Sequence, residues 1–291
     1  MRASFRLRVG GLTLHVFARR STRFLEPPAL YRPFLAARGA DIRLEYVEDR
    51  PPEPRGGLLF DSEGVWRVHR HDGGRLYSFR TPRLEPSLYK AVLIDESLTR
   101  GRLFFPPPAQ GRRPRFAPDY PLDELLFQHR LARDGALEVH ACGLFVGDRV
   151  ALFIGQSGAG KSTTARLWRR HRRGTLILSD DRIVLREEGG RLVAYGTPWH
   201  GDGGFARNER GRLGAIFSLA HARRTAVRRL AVAEATALLM ARSFPPPWDA
   251  HALGRALELC ARTASGVPCF ELAFTPDRSA VTAVLGALSV L

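Results

Sequence analysis

The chain of 291 residues is long enough for two domains or one large one, and at 44% hydrophobic and 25% charged it has the balance of an ordinary globular protein. No apolar run approaches the length of a membrane span, and the opening MRASFRLRVGG lacks the long apolar core of a signal peptide. The net charge of +16 admits a nucleic-acid partner. Its basic residues, however, are spread along the chain, with local clusters only at 169–173 and 222–229, and no basic motif is interleaved with aromatics. Neither a specific nucleic acid nor a membrane is therefore expected as partner, and an acidic ligand such as a nucleotide accounts for part of the charge.

In chain order, the first hundred or so residues read as β-rich. Phe5, Leu7 and Val9 alternate with polar residues, Leu12, Leu14 and Val16 continue the alternation after Gly10-Gly11, and Ile42, Leu44 and Tyr46 repeat it. Residues 66–79 read as a hairpin turning at Asp72-Gly73-Gly74, with His69 and His71 at a solvated end rather than as a metal pair. The proline-rich stretch 106–118 marks a domain boundary, giving a β-rich region over 1–118 and a second domain over 119–291. PLDELLFQHRLAR (121–133) reads as an amphipathic helix, and 136–154 as two strands turning at Gly147-Asp148.

Val150 to Ile154 leads into GQSGAGKST, in which Gly155, Gly160, Lys161 and Ser162 satisfy G-x-x-x-x-G-K-[ST]. Glycines let several backbone N–H groups turn to one point, and the helix beginning near Lys161 adds the positive end of its dipole. The phosphate-binding set is Gly155, Ser157, Gly158, Ala159, Gly160, Lys161, Ser162 and Thr163, with Lys161 reaching β/γ-phosphates and Ser162 sitting on Mg²⁺. Of 45 basic residues only Lys90 and Lys161 are lysines, so a lysine kept here fits a need for a compact charge on a flexible stem.

Beyond the loop, residues 175–202 read as a strand, an acidic pair and a hairpin turning at Gly189-Gly190; 213–220 and 267–274 read as strands, and 233–244, 251–264 and the C-terminus as helices. Asp180 and Asp181, ending LILSDD, can supply a metal ligand and a proton acceptor for phosphoryl transfer. His140 lies on the preceding strand, either as a core histidine or as a group that orients a catalytic carboxylate. GTPWHGDGG (196–204) is a loop in which Trp199 and His200 line an acceptor pocket or merely pack a turn; Gly196, Gly201, Gly203 and Gly204 would let it open and close. Cys142, Cys260 and Cys269 have no metal-ligand spacing and an odd count, which predicts a reduced, cytoplasmic setting.

LEVHACGLFVGDRVALFIGQSGAGKST followed by LILSDDRIVLR resembles the HPr kinase/phosphorylase group, over roughly residues 136–220. The resemblance implies an α/β architecture: a phosphoenolpyruvate carboxykinase-like P-loop kinase domain preceded by the β-rich region. It also implies ATP- and Mg²⁺-dependent transfer of the γ-phosphoryl group to a hydroxyl, a serine of a peptide or protein. On it, His140, Lys161, Ser162, Asp180 and Asp181 fall on active-site positions, with Asp180 as the base and Asp181, beside Ser162, serving metal and geometry. ERGRLGAIF (209–217) meets the group's E-x-R-G-x-G-I signature only in part, and GTPWHGDGGF is closer to divergent relatives such as lasso-peptide kinases. That points away from HPr as the acceptor. A small-molecule acceptor (free serine or a polyol) and a non-catalytic nucleotide-binding regulatory module are the other readings, and a homo-oligomer is compatible with all three.

Overall fold

The computed structural model describes residues 3–20, 22–81, 88–105 and 116–290; residues 106–115, most of the proline-rich stretch, lie outside them. The chain divides into two compact units, Met1–Arg130 and Leu131–Leu291. The division falls inside helix α1 (Leu122–Arg133), twelve residues beyond the boundary read from the sequence at 118/119.

Among the described residues the first unit holds one mixed sheet of eight strands: β1 (Ser4–Val9), β2 (Leu12–Ala18), β3 (Ile42–Val47), β4 (Leu58–Asp61), β5 (Trp66–His71), β6 (Gly74–Arg80), β7 (Leu88–Asp95) and β8 (Arg100–Phe104), in the order 1-2-3-8-7-6-5-4. β2–β3 and β3–β8 run parallel and the other pairs antiparallel. Gly10 and Gly11 both take positive φ, 58° and 84°, which the two-residue turn between β1 and β2 requires. The sequence left one gap here, and two expectations need correction. β4, β7 and β8 carried no readable alternation. His71 is buried, not at a solvated hairpin end. Leu122 to His129 of α1 are buried without interruption, so its polar residues are internal and the helix is not amphipathic. Their partners come from distant segments: the Tyr31 hydroxyl donates to Asp123 at 2.8 Å, and Tyr77 and His129 bond at 2.9 Å.

The second unit is a three-layer α/β arrangement. Its strands are β9 (Leu137–Val146), β10 (Arg149–Ile154), β11 (Ile177–Ser179), β12 (Arg182–Glu188), β13 (Arg191–Gly196), β14 (Arg210–His221), β15 (Ala226–Arg229) and β16 (Cys269–Phe274). The order is 10-9-12-13-14-16-15, with β11 beside β9 and β10 also paired parallel to β14. The long strands β9 and β14 are shared: their first halves pair with β12 and β13, their second halves with β10. Apolar residues fill both faces, as a sheet covered on both sides demands. Val150, Leu152 and Ile154 face a core that includes Leu239 of α3 (Val232–Met240) and Leu259 of α4 (Ala250–Gly266). Ala151 and Phe153 face the other, with Trp168 of α2 (Lys161–His171) and Val281 of α5 (Arg278–Ser289). There the rings of Phe153, Phe217 and Phe270 stack at 5.3 and 5.1 Å, each buried side chain contributing about 2–3 kcal/mol. β15, inside a basic cluster, gave no hydrophobic signal. Cys142, Cys260 and Cys269 are free and buried, and no helix among the described residues is long and apolar enough to cross a membrane.

Candidate active site

β10 ends at Ile154, the chain loops through Gly155 to Gly160, and α2 starts at Lys161. Glycine is required at both ends of the loop. A Cβ on Gly155 would stand 2.7 Å from that of Ala159; Gly160 has φ 103°, and a Cβ there would meet the Phe274 ring at 2.8 Å. Gly160 caps α2 without a side-chain bond, so the first backbone N–H groups of the helix are left to face the loop. His221, at the end of β14, donates from Nε2 to the Gly158 carbonyl at 2.9 Å and pins the loop from the neighbouring strand. Lys161 is 6% exposed and its Nζ donates to the carbonyls of Gly155 and Gln156, both at 3.0 Å. Burial pushes its pKa below the ordinary lysine value; nearby Asp181 opposes that, and Arg182 and Arg242 add to it. The ammonium is thus folded back into its own loop, on a stem long enough to turn outward.

Asp180 and Asp181 sit between β11 and β12, and they are not alike. Asp180 is 0% exposed, and its carboxylate accepts three backbone N–H groups: Gly201 at 3.1 Å and Phe205 at 3.3 Å on Oδ1, Gly203 at 2.8 Å on Oδ2. Asp181 is only half-buried. Its Oδ1 accepts from His140 Nε2 at 2.8 Å and its Oδ2 from Arg182 Nη1 at 2.6 Å. Burial pushes the Asp181 carboxyl up, but the His140 bond and the charges of Arg182, His140 and Lys161 outweigh it and hold the group below the ordinary aspartate range. Arg182 is itself held: Nε lies 3.3 Å from Oε1 of the buried Glu138, and the guanidinium stacks over Phe244 at 4.7 Å. The backbone pairs His140 with Arg182 across β9 and β12, and alternation along β9 puts Glu138 and His140 on one face.

The 196–205 loop folds over this pair. A Cβ on Gly201 would lie 3.1 Å from Asp180 Oδ2, 3.3 Å from Ser162 Oγ and 3.4 Å from Asp181 Cβ. One on Gly203 would lie 2.5 Å from Asp180 Oδ2. Gly196 is equally confined, 2.0 Å from the Arg207 carbonyl, and only Gly204 takes a positive φ, 69°. The expectation that these glycines serve loop mobility is therefore corrected: three of the four are small because backbone passes against neighbouring atoms. Trp199 is 7% exposed, and its backbone carbonyl accepts from the Ser179 and Thr197 hydroxyls, which ties the turn to the strand that leads into the acidic pair. His200 is exposed, with Nδ1 2.8 Å from its neighbour's carbonyl.

The structure brings together His140, Lys161, Ser162, Asp180 and Asp181, with Trp199 buried and His200 exposed on the loop that covers the two aspartates. Sequence reasoning missed Arg182, Glu138, Phe244 and Arg242, whose carbonyl accepts from His140 N–H at 2.7 Å. Arg182 and Glu138 had a signal: one follows the acidic pair directly, the other stands two before His140. Phe244 and Arg242, beyond α3, had none. Among the described residues no group of three or more His, Cys, Asp or Glu converges to hold a metal.

No protein-family model matches the chain, and no curated protein matches it. Among solved structures, the Hpr(Ser) kinase/phosphatase from Coxiella burnetii aligns over 52% of this chain and 89% of that one, at 16% identity and a TM-score of 0.32. At that level the likeness establishes neither family nor activity.

Proposed function

We propose that the second unit is an ATP- and Mg²⁺-dependent phosphotransferase acting on a hydroxyl, a serine of a peptide or protein in the first instance. One observation carries this reading: Ser162, Asp180 and Asp181 converge on Gly201 immediately beside a glycine-rich loop and an uncapped helix N-terminus. Loop amides and the helix dipole suit a triphosphate, and Lys161 swings from its carbonyls to the β/γ-phosphates. Ser162, whose hydroxyl lies beside Asp180 and Asp181 at Gly201, would hold a magnesium ion, which would neutralise charge building on the phosphates. Asp180 binds the 201–205 amides and keeps the loop closed against water. Asp181, ionised and half-exposed, accepts the proton of the attacking hydroxyl as the new O–P bond forms and the bond to ADP breaks. His140 and Arg182 orient that carboxylate. The roles of the two aspartates are thus the reverse of those the family resemblance implies.

The experiment is transfer from γ-labelled ATP·Mg²⁺ to serine peptides, free serine and polyols, with calorimetry of ATP binding in parallel. Labelled peptide supports the reading, and labelled serine or polyol moves the acceptor to a small molecule. ATP binding with no transfer leaves a nucleotide-binding regulatory module. Absence of ATP binding overturns all three.

A further inference from the structure

At the far end of β10 from the glycine-rich loop, the second unit opens into a groove of about 570 Å³. Its origin is a fork in the sheet. β14 pairs with β13 through Arg212, then leaves it to run beside β10 from Leu213, so the tip of β13 at Arg191 and Leu192 stands away from β14. The C-terminal end of α4 closes the third side. Leu192, Leu213 and Val267 give an apolar lining, and Arg149, Arg191, Arg212 and Arg262 come from four different elements to its walls. Only Arg262 is committed, to Glu187 at 3.1 Å. Arg149, Arg191 and Arg212 are exposed, and none has a side-chain hydrogen bond or ion pair among the described residues. The groove is shaped for one of them: a Cβ on Gly214 would stand 2.8 Å from Arg149 Cβ and 3.2 Å from its Cδ, so glycine is what lets that stem lie across β14.

We infer that this fork is a second binding site, for a compact organic anion carrying two or more phosphate or carboxylate groups. The volume is that of a small-molecule pocket rather than a macromolecular surface. Three uncommitted guanidinium forks in one concavity suit planar, bidentate recognition of such groups, and the apolar lining suits a carbon body between them. The inference does not depend on the reaction proposed above, because none of these residues belongs to that site.

The test is calorimetry at fixed ionic strength, without Mg²⁺, using citrate and inorganic pyrophosphate as probes. Lys161→Ala protein serves as the parent, which weakens anion binding at the glycine-rich loop; what the loop amides still bind is common to parent, groove variant and control. Arg191→Ala/Arg212→Ala is compared with Arg223→Ala/Arg224→Ala, which removes the same charge from exposed positions elsewhere on the unit. The groove variant is expected to bind at least one probe tenfold or more weakly, and the control to bind as the parent does. Equal losses in both variants would reduce the effect to overall charge and overturn the site. So would no binding of either probe by the parent, or binding of acidic peptides alone. Circular dichroism of each variant separates loss of the site from loss of the fold.

Discussion

His140 and Asp181 meet across adjacent strands, Nε2 to Oδ1 at 2.8 Å, while the other oxygen of Asp181 is taken by Arg182 at 2.6 Å. Both partners leave lone pairs free on a carboxylate that they keep ionised, and each is anchored elsewhere, Arg182 through Glu138 and Phe244. Asp180, one residue earlier, has all its bonds to backbone amides of one loop. Neighbours in sequence thus have separable roles.

Separability gives the first prediction. Asp181→Asn should retain ATP affinity and lose transfer by about 10²-fold or more, the scale of a lost general base. Asp180→Ala should instead free the 201–205 amides, seen as faster hydrogen exchange at Gly201, Gly203 and Phe205. If Asp180→Ala leaves that exchange unchanged, the loop is held by something else; if Asp181→Asn transfers normally, it is not the proton acceptor.

Lys161→Ala should weaken ATP·Mg²⁺ binding by tenfold or more while the thermal transition is kept, because the Lys161 ammonium bonds only loop carbonyls in the fold. Calorimetry with unchanged affinity would remove the phosphate role from the loop.

Gly203→Ala should cut transfer by about 10-fold to 10²-fold, with a smaller effect on ATP affinity. Its Cβ would press on Asp180 Oδ2 at 2.5 Å and displace the loop, and misplacement on the 1 Å scale is costly in rate. Gly204→Ala, strained by its positive φ but facing open space, should show mainly a stability loss of about 1–2 kcal/mol by denaturant titration. Equal kinetic effects in the two would mean that contact with Asp180 does not matter.

Because its folded pKa is depressed, Asp181 stabilises the fold above the ordinary aspartate range, near 3.9, and that stability is lost as pH falls through the lower folded value. Arg182→Met removes one cause of the depression. The variant should therefore draw less stability from Asp181 above that range, and should have lost all of it at a higher pH than wild type, in acid unfolding followed by circular dichroism. Superimposable acid transitions would show that Arg182 does not hold the carboxylate ionised.

Lys90, the other lysine, is 0% exposed in the first unit; its Nζ donates to the Asp119 carbonyl at 2.7 Å and to the Asp119 carboxylate. The rings of Phe79 and Tyr89 lie 5.1 and 5.3 Å from it. Lys90→Met should destabilise by about 3 kcal/mol, and Lys90→Met/Asp119→Leu should recover much of that, since breaking a buried pair costs more than replacing it whole. A neutral single variant would show the pair to be dispensable.

Both lysines of this arginine-coated chain are thus buried with carbonyl acceptors, a place for a compact ammonium and not for a planar fork. Their rarity was legible in the sequence, but only the fold showed that burial is what they share. The strand, glycine-rich loop and helix from 150 to 171 were legible because they are local: apolar residues, then obligatory glycines, then a helix start. The acidic pair was legible as a pair. Which aspartate does what was not, because Asp180 takes its partners from amides 21 to 25 residues downstream, while Asp181 takes one from 41 residues upstream on β9. The loop glycines looked like hinges for want of the neighbours that confine them, and the burial of Trp199 was not legible. α1 looked amphipathic because its internal polar residues are satisfied by Tyr31 and Tyr77, from segments 52 and more residues away. Chain-local backbone preferences determined the loop; the roles of its surrounding side chains depend on contacts that exist only once β9, β12 and the 196–205 segment are folded together.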